Sequence, residues 1–125
     1  MTAKIISCLT LLIGLITVNQ SCKKVSINEP VIQTIDKTLK AGESFQFDLG
    51  NFGDEEGATI SIEATHFSIS SVEREINSGR IIYKYLPSIN FIGTDKVEIK
   101  SEKGSDGASQ NKKIIYTIIK FTITN

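Results

Sequence analysis

From Val31 onward, apolar and polar residues alternate with a period of two, interrupted at short intervals by glycine beside Asn, Asp or Ser. A period of two places successive side chains on opposite faces of a strand, so the pattern predicts strands rather than helices. Seven are expected: Val31 to Ile35, Ser44 to Leu49, Thr59 to Ala64, Phe67 to Val72, Arg80 to Leu86, Lys96 to Lys100 and Ile114 to Thr124. Their inward rows are expected to hold Phe45, Phe47 and Leu49, then Ile60, Ile62 and Ala64, then Phe67 and Ile69. Ile81, Tyr83 and Tyr85, Val97 and Ile99, and Ile115, Ile119, Phe121 and Ile123 continue the set. Tyr116 and Ile118 add a second apolar row to the last strand, which predicts cover from the segment before Val31 or from a loop. One short helical candidate, Val72 to Asn77, interrupts the series.

Turn chemistry supports these divisions. Lys40-Ala41-Gly42-Glu43, Gly50 to Asp54, Asn77-Ser78-Gly79 and Gly104-Ser105-Asp106-Gly107 combine glycine with residues that tolerate positive φ or form side-chain turns. Many short strands without recurring helices predict an all-β antiparallel sandwich over residues 31–125. About 95 residues suffice for one modest core and not for two.

The N-terminal stretch obeys a different rule. Ile5 to Val18 is a run of 14 residues with no charge, preceded by Lys4 and followed by Asn19-Gln20-Ser21-Cys22-Lys23-Lys24. Such a run is short for crossing a hydrocarbon core of about 30 Å but suits the apolar region of a signal peptide. Ser21 before Cys22 resembles the lipobox of bacterial lipoproteins, of the Bacteroidetes type, although Asn19 stands where an aliphatic residue is usual. That resemblance implies cleavage after residue 21, acylation of Cys22, and a tether over residues 22–30. About three acyl chains hold a protein on a membrane effectively permanently, and the extended tether reaches at most about 28 Å. The address implied is the outer membrane, on its periplasmic face, because no acidic residue precedes Glu29.

Processing at Cys22 would also remove Cys8, leaving no thiol for a disulfide, redox or zinc role in the folded domain. Only Lys4 among the charges lies in residues 1–21, so 13 basic and 14 acidic residues would remain, a net charge of −1. No basic footprint for nucleic acid is present.

In the C-terminal half, Gly79 to Pro87 is followed by Asn90-Phe91-Ile92-Gly93-Thr94-Asp95-Lys96-Val97, then Asp106-Gly107 and a Thr/Ile-rich last strand. This succession resembles bacterial cadherin-like and immunoglobulin-like repeats, which implies a cadherin-like or immunoglobulin-like sandwich of about seven strands. Within it Pro87 ends a strand by lacking a ladder donor, Phe91 plugs the sandwich end, Gly93 permits a tight turn, and Asp95 accepts backbone amides. Calcium at Asp95 is the functional alternative, although calcium takes six to eight oxygens, often from several carboxylates. The same holds for Asp54-Glu55-Glu56, with Asp48 or Asp106 brought in by folding, against a solvated loop.

Catalytic signatures are sparse. His66 is the only histidine, so a multi-histidine metal site is excluded. No Gly-x-Ser-x-Gly elbow or glycine-rich phosphate loop occurs, and no cofactor is expected. The sequence reading is therefore a lipid-anchored, non-catalytic envelope protein with one immunoglobulin-like module that binds an envelope protein or a glycan. A structural accessory subunit and a small hydrolase are the alternatives. Tyr83 or Tyr85 facing solvent would favour the glycan.

Overall fold

Residues 29–104 and 113–125 are described by the computed structural model. β-branched and aromatic residues fill its strands, as a pleated, half-buried surface favours. The strands are β1 (Val31–Lys40), β2 (Phe45–Asn51), β3 (Gly57–Ile62), β4 (Phe67–Arg74), β5 (Arg80–Pro87), β6 (Gly93–Lys103) and β7 (Lys113–Thr124). They form two sheets, one in the order β1-β7-β6-β3 and the other β2-β5-β4. Pairing is antiparallel except between β1 and β7, which run parallel from Val31↔Ile115 to Lys40↔Thr124. Cys22, where lipidation is expected, and residues 105–107 of the expected Gly104-Ser105-Asp106-Gly107 turn lie outside the described residues.

The sheets close on Leu39, Ala64, Tyr83, Tyr85, Val97, Ile99, Ile119, Phe121 and Ile123. Tyr83 and Tyr85 are 0% and 1% exposed, so they build the core and offer no aromatic platform to solvent. Tyr85 stacks on Phe121 with ring centroids 4.0 Å apart, and Phe45 meets Phe121 edge-on at 5.5 Å. Each such pair contributes about 0.5–1.5 kcal/mol beyond burial. Burial raises the Tyr83 hydroxyl to about 12, against a lowering bond from Ser70.

Two expectations about faces are corrected, each by a register shift, and one about an element. Between Ile60 and Ile62 the β3 register shifts by one residue against β6, so Ile62 sits opposite Glu98 and is 48% exposed while Ile60 packs on the core. A similar shift between Phe67 and Ile69 in β4 turns Ile69 opposite Leu86, 46% exposed. Ser70 thereby faces inward, where it bonds the Tyr83 hydroxyl at 2.9 Å. A bulge inserts one unpaired residue and exchanges the faces beyond it. The helical candidate Val72 to Asn77 is instead the end of β4, through Arg74, followed by a turn. Val72 and Glu73 pair with Tyr83 and Ile82, and ladder bonds override the weak local helix preference.

β1 is longer than the expected Val31 to Ile35, and its exposed flank is the free edge of the larger sheet. β7 lies between β1 and β6, and Tyr116 and Ile118 are half-buried there; most of the segment expected to cover them lies outside the described residues.

Candidate functional site

Strand directions sort the connections into two ends. The 41–44, 63–66 and 88–92 connections share one end, and 52–56 and 75–79 share the other with Pro30 and the facing ends of β6 and β7.

At the first end, Asp95 is 6% exposed and is the hub of a clasp. Its Oδ1 accepts from the Thr65 amide and hydroxyl at 2.9 and 3.1 Å and from the Lys96 amide at 2.9 Å. Its Oδ2 accepts from the His66 amide and the Tyr85 hydroxyl, each at 2.9 Å. Burial pushes its pKa up, but the amides of Thr65, His66 and Lys96, with Tyr85, outweigh that and hold it below the usual 3.8. Burial, and then the same carboxylate, raise the Tyr85 hydroxyl above its ordinary value. His66 stacks on Phe91 at 4.1 Å, and Phe91 packs against the core. A Cβ on Gly93, at φ 145°, would stand 3.2 Å from the Phe91 ring, which is why glycine follows there. Both Asp95 oxygens are committed to protein donors, so the carboxylate fastens β6 to the 63–66 connection.

The second end is built differently. Gly53 and Glu56 close a turn through the Glu56 amide and Gly53 carbonyl at 3.1 Å, which puts Asp54 and Glu55 on its exposed crest. The third acid of the run, Glu56, folds back instead. Its carboxylate accepts from the Gly53 amide at 2.8 Å and the Gly104 amide at 2.5 Å, and these bonds lower its pKa. Among the described residues, no three His, Cys, Asp or Glu converge as a metal site.

Arg74, at the end of β4, spans the gap between the two connections. Its guanidinium donates to the carbonyls of Phe52, Gly53 and Glu56 at 3.1, 3.3 and 2.6 Å. The fork geometry of arginine lets one side chain hold three acceptors. Phe52 is buried beneath, with Lys103 Nζ 4.1 Å from its ring centroid. Its amide donates to the Gly79 carbonyl at 3.0 Å. Gly79 has φ 67°, and a Cβ there would stand 3.0 Å from the Phe52 carbonyl oxygen.

The 75–79 turn is tied internally as well. The Glu75 amide donates to the Arg80 carbonyl at 2.8 Å, the Gly79 amide to the Glu75 carbonyl at 3.2 Å, and the Ser78 hydroxyl to the Glu75 carboxylate at 2.7 Å. From this braced turn Ile76 projects with 97% of its surface exposed, the most exposed of the large apolar side chains described. A depression of about 490 Å³ lies beside it, floored by the outward but buried Ile82 and flanked by Gln46, Glu73 and Lys84. The turn thus presents an uncovered isoleucine on a hydrogen-bonded support.

Arg74 and Ile76 escape sequence reading because they lie in the short helical candidate. Glu56 is hidden among the acids of a loop that reads as solvated. The bonds that give these residues their roles join segments about 20 to 50 residues apart. Arg74→Ala should free the 52–56 connection, with about tenfold faster hydrogen exchange at its amides, consistent with losing about 1–2 kcal/mol of hydrogen bonding. Unchanged exchange there would count against the strut.

No family model matches the chain, and no curated protein matches it. Among solved structures, PbICP-C in complex with falcipain-2 is similar to it, with TM-score 0.54, 15% sequence identity, and coverage of 78% of this chain and 92% of that chain. The cysteine protease inhibitor EhICP2 from Entamoeba histolytica aligns at TM-score 0.42 and 11% identity, over 77% of this chain and 98% of that chain. The likeness to PbICP-C shows a shared sandwich fold. It corrects the functional expectation: the chain whose fold is shared is one solved in complex with falcipain-2, not an envelope-interaction module. The reading as an envelope-binding interaction module, with its accessory-subunit and hydrolase alternatives, is set aside.

Proposed function

We propose that this chain is a non-catalytic inhibitor that occupies the groove of a cysteine protease with its 52–56 and 75–79 connections. The observation that carries the reading is Ile76, fully offered to solvent on a turn that hydrogen bonds hold in place. Apolar surface displayed on a preorganised support is favourable for binding because little conformational entropy remains to be lost. The fold shared with PbICP-C, solved in complex with falcipain-2, supports the choice of partner class.

The finer fold assignment belongs to the same proposal. The order β2-β5-β4 corresponds to strands B-E-D of an immunoglobulin-like sandwich and β7-β6-β3 to G-F-C, with the first strand added to the latter sheet. The address is likewise proposed from the leader ending at Cys22: an exported inhibitor held at the cell envelope.

The test is titration of the full chain, in detergent, against a panel of cysteine proteases and, for contrast, serine proteases. Reversible inhibition confined to cysteine proteases, with the inhibitor recovered uncleaved, is expected. Absence of inhibition across the panel at high micromolar concentration would refute the proposal.

A further inference from the structure

The four sheet edges are not alike. β2 is bulged between Asp48 and Gly50, β3 between Ile60 and Ile62, and β4 between Phe67 and Ile69. Bulges twist an edge away from further pairing, one of the usual protections against edge-to-edge association. β1 has no such interruption, pairing residue for residue with β7 over ten positions. Among the described residues, its other side is the open edge of the larger sheet, with Val31 and Ile32 47% and 66% exposed. Of its charges, Lys37 turns its ammonium toward the Phe45 ring at 5.7 Å.

We propose that this edge receives the β1 strand of a second copy of the chain, antiparallel about a two-fold axis at Ile35. The sequence of β1 is self-complementary in that register. Ile35 meets its own copy, Val31 meets Leu39, and Gln33 meets Lys37 on the inner layer, while Ile32 meets Thr38 and Thr34 meets Asp36 on the outer. No like charges are opposed. A slip of one residue would put core-facing side chains opposite solvent-facing ones. A slip of two that keeps the faces and the length sets Asp36 against Asp36, and directly opposed like charges are destabilising. Antiparallel joining sends the two Ile76 tips in opposite directions and leaves both uncovered.

Thr34 is exposed and opposite Asp36 of the second copy, so it tests the register without touching the core. Sedimentation of the full chain in detergent is expected to show a concentration-dependent dimer. Thr34→Lys, placed against two symmetry-related carboxylates, should tighten it by about five- to tenfold, and Thr34→Asp should weaken it by a similar factor. Two results overturn the proposal. One is a chain monomeric at every concentration reached. The other is an association that responds alike to lysine and aspartate, as assembly through the apolar leader would.

Discussion

Ile76→Asp is expected to weaken inhibition of the target protease about a hundredfold or more while leaving the fold intact. Complete burial of an isoleucine is worth about 1.5–3 kcal/mol, and central interface anchors cost about 2–4 kcal/mol when truncated. A carboxylate at the same point must also be desolvated. A loss of about 3 kcal/mol corresponds to more than a hundredfold in the inhibition constant. The side chain is 97% exposed in the free protein, so thermal unfolding should be unmoved. Ile89→Asp provides the comparison, because Ile89 is 86% exposed at the opposite end. Inhibition assays with both variants distinguish one working end from general stickiness. Equal losses from the two variants would remove the assignment of the site, and no loss from Ile76→Asp would remove its anchor.

Asp95→Ala should be the most destabilising single exchange at the other end, by about 3–5 kcal/mol, read from denaturant unfolding. Truncation removes an acceptor of five hydrogen bonds and leaves the Thr65, His66 and Lys96 amides without their partner, the Tyr85 hydroxyl keeping only the His66 carbonyl at 3.2 Å. Asp95→Asn should rescue little, because its amide nitrogen confronts donors with donors. The carboxylate also dictates a pH dependence. Because its folded pKa lies below the usual 3.8, its contribution is fully present above that value and fades as pH falls through the depressed folded value. Stability of the parent protein should therefore drop steeply below pH 4, and the Asp95→Ala variant should lose less over the same interval. Parallel acid-unfolding curves for the two would be the adverse result.

Period-two patterning and turn residues were enough to locate seven strands and the two-sheet sandwich, since one buried face per strand is a strong constraint. The stretch from Asn90 to Asp95 was also readable, for its roles are local: Phe91 packs inward, Gly93 gives it room, and Asp95 accepts the amide beside it. What could not be read was any effect of one inserted residue. Ser61 and Ser68 look like ordinary outward positions, yet the register shifts beside them move Ile62 and Ile69 out of the core. The projecting end was harder still. Arg74 is an unremarked cation until the Phe52, Gly53 and Glu56 carbonyls are brought beside it, and no spacing rule links residues 18 to 22 apart across two sheets.

The parallel pairing of β1 with β7 has a kinetic side. Gln33 and Thr117, hydrogen-bonded at 2.7 Å, are separated by 84 positions, so the opening strand finds its place only after the closing one has been delivered. Contacts of such long sequence separation make folding slow. A polypeptide threaded amino end first through a translocation pore therefore stays loose and threadable until its final strand emerges. A delay of that kind would serve the export proposed from the stretch ending at Cys22.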